Sequence, residues 1–135
     1  MAGKSTRMIS NPTKFVSWNV KGVNNPNKRQ RVMSHLQELK VDMAFLQETH
    51  LCNINVNGLK RNWVGQVFHS KFNAKARGTA ILINKNISFH SKEIISDPNG
   101  RYIIVVGQLF ANPVILVNVY APNSDDTSFF KKLFF

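Results

Sequence analysis

The sequence lacks the features of a secreted or membrane-embedded protein. It contains one cysteine, Cys52, so no disulfide can form within the chain, as is typical of proteins in reducing compartments. No apolar run is long enough to span a bilayer. Residues 1–13 are polar and basic and lack the apolar centre of a secretory signal. These absences predict an intracellular protein, nuclear or cytoplasmic, with no membrane and no disulfide partner.

Acidic residues are also scarce. Seven Asp and Glu stand against 18 Lys and Arg in 135 residues, which gives a formal net charge of +11. This excess indicates a polyanionic partner, nucleic acid first and an anionic membrane second, with a merely soluble basic surface as the alternative. Because 43% of the residues are hydrophobic, the composition is that of one small globular domain. We expect a disordered lead-in at 1–13 and the domain at 14–135.

The first structural pattern is a strand, a helix and a second strand. Lys14–Val20 and Val41–Gln47 are typical of strands, and Lys28–Lys40 repeats apolar residues at helical spacing. Such a crossover makes the two strands parallel, so both end at the same edge of the sheet. The polar residues at these ends, Asn19 and Glu48, are therefore expected to lie close together, where oxygen ligands suit Mg²⁺. The alternative is that both are ordinary strand-end residues.

The remainder of the chain favours strands separated by turns. Asp97–Gly100 is a strong turn signal, and the last two strands are expected to form a hairpin. The predicted strands are Trp63–Phe68, Gly78–Ile83, Ile87–Ile95, Arg101–Phe110 and Val114–Tyr120. A helical pattern begins at Thr127–Phe135. Together with the first three elements, these patterns predict an α/β fold: a mixed β-sheet with a flanking helix.

Four short motifs resemble those of one family, in the same order and at similar spacing. They are Ser17–Val20, Gln47–His50, Arg77–Ala80 and Val119–Asn123. The chain resembles the N-terminal part of the endonuclease/exonuclease/phosphatase superfamily, and within it the endonuclease domain of long-interspersed-element retrotransposons, related to apurinic/apyrimidinic endonucleases and exonuclease III. This resemblance implies the N-terminal half of a four-layer α/β sandwich and Mg²⁺-dependent endonucleolytic nicking of DNA.

The resemblance also implies roles for particular residues. Glu48 matches the family's metal-binding glutamate, and Asn19 matches the asparagine that lies beside the metal and orients that glutamate and the phosphate. With Tyr120, which matches a tyrosine near the phosphate, they are the expected catalytic residues. The residues expected to contact nucleic acid are Gly22, Lys28, Arg29 and Asn123. The four histidines show no ligand pattern and are interpreted as surface or structural residues.

The sequence after Tyr120 departs from the family. Neither a Gly-Asp-Phe-Asn segment nor a Ser-Asp-His segment follows, so the groups that would position and activate water are absent. We expect a truncated domain, inactive alone, that binds Mg²⁺ weakly and binds DNA weakly and salt-dependently. The alternatives are a non-catalytic remnant that binds nucleic acid through its charge and, disfavoured by that charge, a phosphoesterase acting on a small or lipid substrate.

The predicted strands account for little more than one sheet. One helix can cover only part of one face of such a sheet, and the strands are apolar on both faces. We therefore expect a broad apolar face to be left in water, with self-association through that face.

Overall fold

The structure is a computed structural model that describes residues 12–51, 56–60, 62–71 and 76–121. The described residues form one α-helix, seven strands and a short 3₁₀ turn at Val56–Leu59. In chain order the elements are β1 (Phe15–Asn19), α1 (Pro26–Glu38), β2 (Met43–Gln47), β3 (Val64–Ser70), β4 (Thr79–Asn84), β5 (Phe89–Ser96), β6 (Tyr102–Leu109) and β7 (Asn112–Val119).

The strands form two sheets. The first has the order β1-β2-β4-β3, in which β1 and β2 are parallel and the other pairs are antiparallel. The second has the order β5-β6-β7 and is antiparallel throughout, with β6 and β7 as the predicted hairpin. The α/β fold with a mixed sheet and a flanking helix, as in part of a four-layer sandwich, is thereby confirmed.

Helix α1 covers one face of the first sheet. It begins after the N-cap Asn25, whose side chain accepts hydrogen bonds from the backbone N–H groups of Asn27 and Lys28. Proline at the first helical position suits this start because its missing N–H would have no partner there. The buried side of the helix, Val32, Met33 and Leu36, packs with residues of β2 and β4 in one core cluster.

The second sheet covers the other face of the first. Met43, Ile81 and Ile83 pack against Phe89 and Ile103 in a second core cluster. The expectation that this face would be left in water is therefore wrong, because strands β5–β7 pair with one another as a separate sheet and fold over it.

Three of the exposed apolar side chains, those of Ile95, Ile115 and Val117, lie together on the outside of the second sheet. Ile95 and Val117 are each in register with Ile104, so the three share one face. Ile115 follows on that face and is 65% exposed. Self-association through an exposed sheet face stays a prediction.

Several predictions fall on residues outside the described ranges. These are Cys52, Asn123, most of the lead-in at 1–13 and the helical pattern at Thr127–Phe135. The domain at 14–135 accordingly stays a prediction.

Helix α1, which the structure does describe, is too short and too polar to cross a membrane.

Candidate active site

The polar residues that follow the strands of the first sheet meet at one edge. Asn19, the last residue of β1, is in register with Gln47, the last residue of β2, and Gln47 is in register with Thr79 at the start of β4. The chain segments that come next, at Glu48 and Arg77, are therefore neighbours. This is the edge at which ligands bind in open α/β sheets.

Asn19 and Glu48 are in direct contact. The side-chain amide Nδ2 of Asn19 donates a hydrogen bond to Oε2 of Glu48. Oδ1 of Asn19 accepts from the backbone N–H of Lys21 at 3.1 Å, and this bond sets which side of the amide faces the carboxylate. The parallel pairing thus brings these two residues together as expected, while their chemical roles stay predictions.

The loops around Glu48 are held in unusual backbone conformations. Glu48 has a φ of +53° and His50 a φ of +56°, in the left-handed region that non-glycine residues rarely adopt. Neighbouring residues with positive φ are Lys21, Gly22, Arg77, Gly78 and Gly100. For non-glycine residues, conformations of this kind cost about 1–3 kcal/mol each and cluster at functional sites, where the surrounding structure enforces them.

A ladder of backbone hydrogen bonds enforces them here. Gly22 N–H donates to Glu48 O at 2.6 Å, and Thr49 N–H donates to Gly78 O at 3.1 Å. Gly78 N–H in turn donates to Gly100 O at 2.9 Å, so the turn before β6 joins the same ladder. The backbone of Glu48 is therefore fixed by loops from both sheets.

Tyr120 follows β7 at the same end of the molecule. Its backbone N–H donates to Arg101 O at 2.7 Å, next to the Gly100 carbonyl that closes the ladder. Its side chain is half-buried. The position suits the predicted role near a phosphate, and that role stays a prediction.

The basic residues of the first helical turn are tied to the loop before it. Lys28 Nζ donates to Lys21 O at 3.0 Å, so its charge lies beside the Glu48 loop. Arg29 points inward: its guanidinium donates to Val23 O at 3.1 Å and lies against Gly58. The contacts of Lys28 and Arg29 with nucleic acid stay predictions, and Arg29 in addition makes a structural contact within the protein.

His50 also belongs to this site, although no ligand pattern in the sequence includes it. Its Nε2 atom lies 4.0 Å from Oε1 of Glu48. Asn19 contacts the other carboxylate oxygen, Oε2. Its ring lies against Gly22. The available signal was its position, two residues after Glu48 in a polar segment that follows a buried strand.

The donor set fits a hard cation bound through few protein ligands. Glu48 is half-buried, and its Oε1 has no direct hydrogen bond among the described contacts, so one oxygen is free for a ligand. Within the described ranges no three His, Cys, Asp or Glu residues come together as a complete metal cage. Mg²⁺ commonly binds through one or two carboxylates with waters and substrate phosphates, so a single carboxylate suits it.

Comparison with known proteins gives one family match and several similar structures. The endonuclease/exonuclease/phosphatase family model matches residues 16–132. The chain is similar to the structure of TDP2 from D. rerio complexed with a single strand DNA product, with 24% identity and a TM-score of 0.63, covering 87% of this chain and 50% of that one.

Two further structures share the fold. One is the AP endonuclease LMAP from Leishmania major, with 17% identity and a TM-score of 0.64, covering 97% of this chain and 48% of that one. The other is the endonuclease domain of TRAS1, a telomere-specific non-LTR retrotransposon, with 17% identity and a TM-score of 0.58, covering 87% of this chain and 51% of that one. The chain thus spans about half the length of these structures.

Proposed function

Because this chain belongs to the endonuclease/exonuclease/phosphatase family, we propose that it forms the cation-binding part of a retrotransposon-type DNA endonuclease domain. In this proposal Glu48 binds Mg²⁺ and Asn19 orients its carboxylate. Tyr120 lies beside the phosphate that is attacked. The nucleic-acid backbone is contacted by Gly22, Lys28, Arg29 and Asn123.

One observation carries this proposal: Glu48, in a left-handed conformation, is clamped by Asn19 at the carboxyl edge of the sheet. A glutamate that merely ended a strand would need neither the strained backbone nor the amide contact. Both features reduce the freedom of the carboxylate before any ligand arrives. Such preorganisation favours binding and catalysis, because less ordering is left to be done when the ligand binds.

The chemistry expected at this site is phosphodiester hydrolysis. When bound, Mg²⁺ supplies positive charge to the phosphate oxygens. The chain's own part is to hold the carboxylate of Glu48 at a fixed place and to bring Lys28 to the same edge. In this proposal the phenol of Tyr120 donates a hydrogen bond to a phosphate oxygen.

DNA is the proposed substrate because the chain is strongly basic and its neighbours include proteins that process DNA. The net charge of +11 favours a polyanion over a small or lipid phosphoester. The similar structures include a complex with a DNA product and a retrotransposon endonuclease. Binding through charge is independent of sequence and weakens steeply between about 50 and 200 mM salt.

A non-catalytic nucleic-acid-binding role is the second candidate, and the composition of the site favours it for this chain alone. Among the described residues, no three His, Cys, Asp or Glu side chains come together at this edge of the sheet. Catalytic groups that act as a unit lose orders of magnitude in rate when some are missing. We therefore expect the 135-residue chain to bind Mg²⁺ and DNA weakly and to cleave DNA no faster than background.

The experiment that tests the proposal measures Mn²⁺ and Mg²⁺ binding to the full chain and to two isosteric variants. Glu48→Gln removes the carboxylate at the site, and Glu93→Gln removes an exposed carboxylate on β5 as the matched control. We expect Glu48→Gln to abolish measurable binding and Glu93→Gln to leave it unchanged. Equal affinities in the two variants would overturn the cation site.

DNA binding and cleavage separate the two candidates. DNA affinity should survive Glu48→Gln, since it depends on the basic side chains. Nicking of supercoiled plasmid that is well above background and disappears in Glu48→Gln would contradict the expectation that the chain is inactive alone. It would at the same time exclude the non-catalytic candidate.

A further inference from the structure

Gly22 and His50 form a contact beside Glu48 that the predicted residue roles leave out. Gly22 has a φ of +92°, and a Cβ atom built on it would lie 2.6 Å from Nδ1 of His50 and 3.3 Å from Cε1. The imidazole therefore occupies the space in which any side chain at position 22 would begin. Position 22 requires glycine for two reasons, its backbone conformation and this ring.

The other end of the imidazole faces the carboxylate. Nε2 of His50 lies 4.0 Å from Oε1 of Glu48, while Asn19 holds Oε2. The distance is too long for a direct hydrogen bond, and it is one that a single water molecule can span with bonds to both atoms. The carboxylate therefore has an amide on one side and an imidazole on the other.

The backbone fixes the positions of both partners. His50 N–H donates to Arg77 O at 2.8 Å, and Gly22 N–H donates to Glu48 O at 2.6 Å. His50 itself has a left-handed backbone conformation, and its side chain is only 20% exposed. A side chain that served only solubility would need none of these restraints.

We propose that His50 is a positioning residue: seated on Gly22, it holds the carboxylate of Glu48 from the side opposite Asn19. This proposal deepens the proposed function and rests on it in so far as that carboxylate serves a cation. It also gives Gly22 a task distinct from the predicted contact with a phosphate. Gly22 admits the imidazole, and the imidazole limits the orientations of Glu48.

The experiment uses the full chain with Mn²⁺ as the probe and two readouts. The first is Mn²⁺ affinity, measured by electron paramagnetic resonance of the free ion. The second is the mobility of the Glu48 side chain without metal, measured by carbon relaxation in selectively labelled protein. The variants are His50→Ala, His50→Gln, Gly22→Ala and the double variant Gly22→Ala/His50→Ala, with His90→Ala on the exposed part of β5 as the control.

We expect His50→Ala to weaken Mn²⁺ binding by about tenfold, as for the loss of residues that orient a metal ligand, and to increase the mobility of Glu48. His50→Gln, which keeps a polar group at this place, should restore most of both. Gly22→Ala should reproduce His50→Ala, and the double variant should lose no more affinity than Gly22→Ala alone, because both changes remove the same contact. His90→Ala should change neither readout.

Unchanged Mn²⁺ affinity and unchanged Glu48 mobility in His50→Ala would overturn the proposal, as would failure of His50→Gln to rescue either readout. If the unmodified chain binds no Mn²⁺, the cation site of the proposed function fails, and Glu48 mobility still decides whether His50 positions it. If Gly22→Ala does not fold because of its strained φ, the comparison of His50→Ala with His50→Gln decides alone.

Discussion

The two sheets differ in how they are covered. In the first sheet, residues Thr79–Ile83 of β4 are buried on both faces, between helix α1 and the second sheet. In the second sheet, β7 alternates between buried and exposed residues, and β5 is exposed from His90 to Ser96. The candidate active site lies at the edge of the first sheet. A strand that is packed on both faces holds its end still, which a site needs for precise placement of side chains.

The second sheet contributes mainly cover and a few restraints. Its turn at Gly100 closes the hydrogen-bond ladder at the site, and Tyr120 follows its last strand. Buried side-chain bonds also join the sheets: Asn118 of β7 donates to Leu46 O at 2.9 Å and to Ala80 O at 2.8 Å. We infer that the stability of the site depends on the first sheet and on the few bonds that hold the second sheet against it.

The largest expected effect comes from comparing one residue type in the two sheets. Ile81 on β4 is fully buried, and Ile115 on β7 is 65% exposed. Ile81→Ala should lower the free energy of unfolding by about 2–5 kcal/mol, through lost burial and the cavity left behind. Ile115→Ala should change it by no more than about 0.5 kcal/mol. Chemical denaturation of both variants measures the two changes, and equal losses would show that the sheets are equally covered.

The next effect concerns the attachment of one sheet to the other. Asn118→Ala should lower the free energy of unfolding by about 1–3 kcal/mol, because it removes the hydrogen bonds of Asn118 to the buried carbonyls of Leu46 and Ala80 and to the side-chain amide of Gln47. Asn112→Ala, at the exposed start of the same strand, is the matched control and should have little effect. If Asn118→Ala were neutral in denaturation, the hydrogen bonds of Asn118 would contribute nothing to the attachment of the two sheets.

A smaller effect on stability, but a visible one on association, is expected on the outer face of the second sheet. Ile115→Lys places a charge among the exposed apolar residues Ile95 and Val117. It should shift the chain towards monomer in size-exclusion chromatography while changing the unfolding free energy little. Ser91→Lys adds the same charge at an exposed position on β5 and should leave association unchanged. Equal elution of the two variants would rule out this face as the contact.

Local patterns predicted the first part of the chain well. The β1, α1 and β2 elements are neighbours in sequence and in space, so parallel pairing followed from them, and with it the meeting of Asn19 and Glu48. The second sheet was missed as a layer because strand patterns do not show which strands pair over long distances. The role of Asn118 in joining the sheets could not be predicted for the same reason, since its partner Gln47 lies 71 residues away in the sequence. The sequence did not predict a role for His50, because neither its left-handed conformation nor its contact with Gly22 produces a recognisable spacing of residues.

The smallest expected effect is a difference in the pH dependence of stability between the sheets. His69 on β3 is half-buried, and burial, with a smaller contribution from the charge of Lys71, lowers its pKa below the ordinary value of 6.5. The unfolded chain therefore takes up a proton at this residue more readily than the folded chain does. Its contribution to stability is complete above pH 6.5 and is lost as the pH falls through the lower pKa of the folded state.

We expect His69→Gln to reduce the loss of unfolding free energy between about pH 7.5 and pH 5. His90→Gln, at an exposed position on β5, should leave that loss as it is in the unmodified chain. Urea denaturation across this pH range compares the three proteins, and the informative quantity is the slope, since carboxylates add the same background to each. Equal slopes in all three would mean that His69 is as solvated in the folded chain as in the unfolded one, and that the edge strand β3 of the first sheet is no better covered than β5.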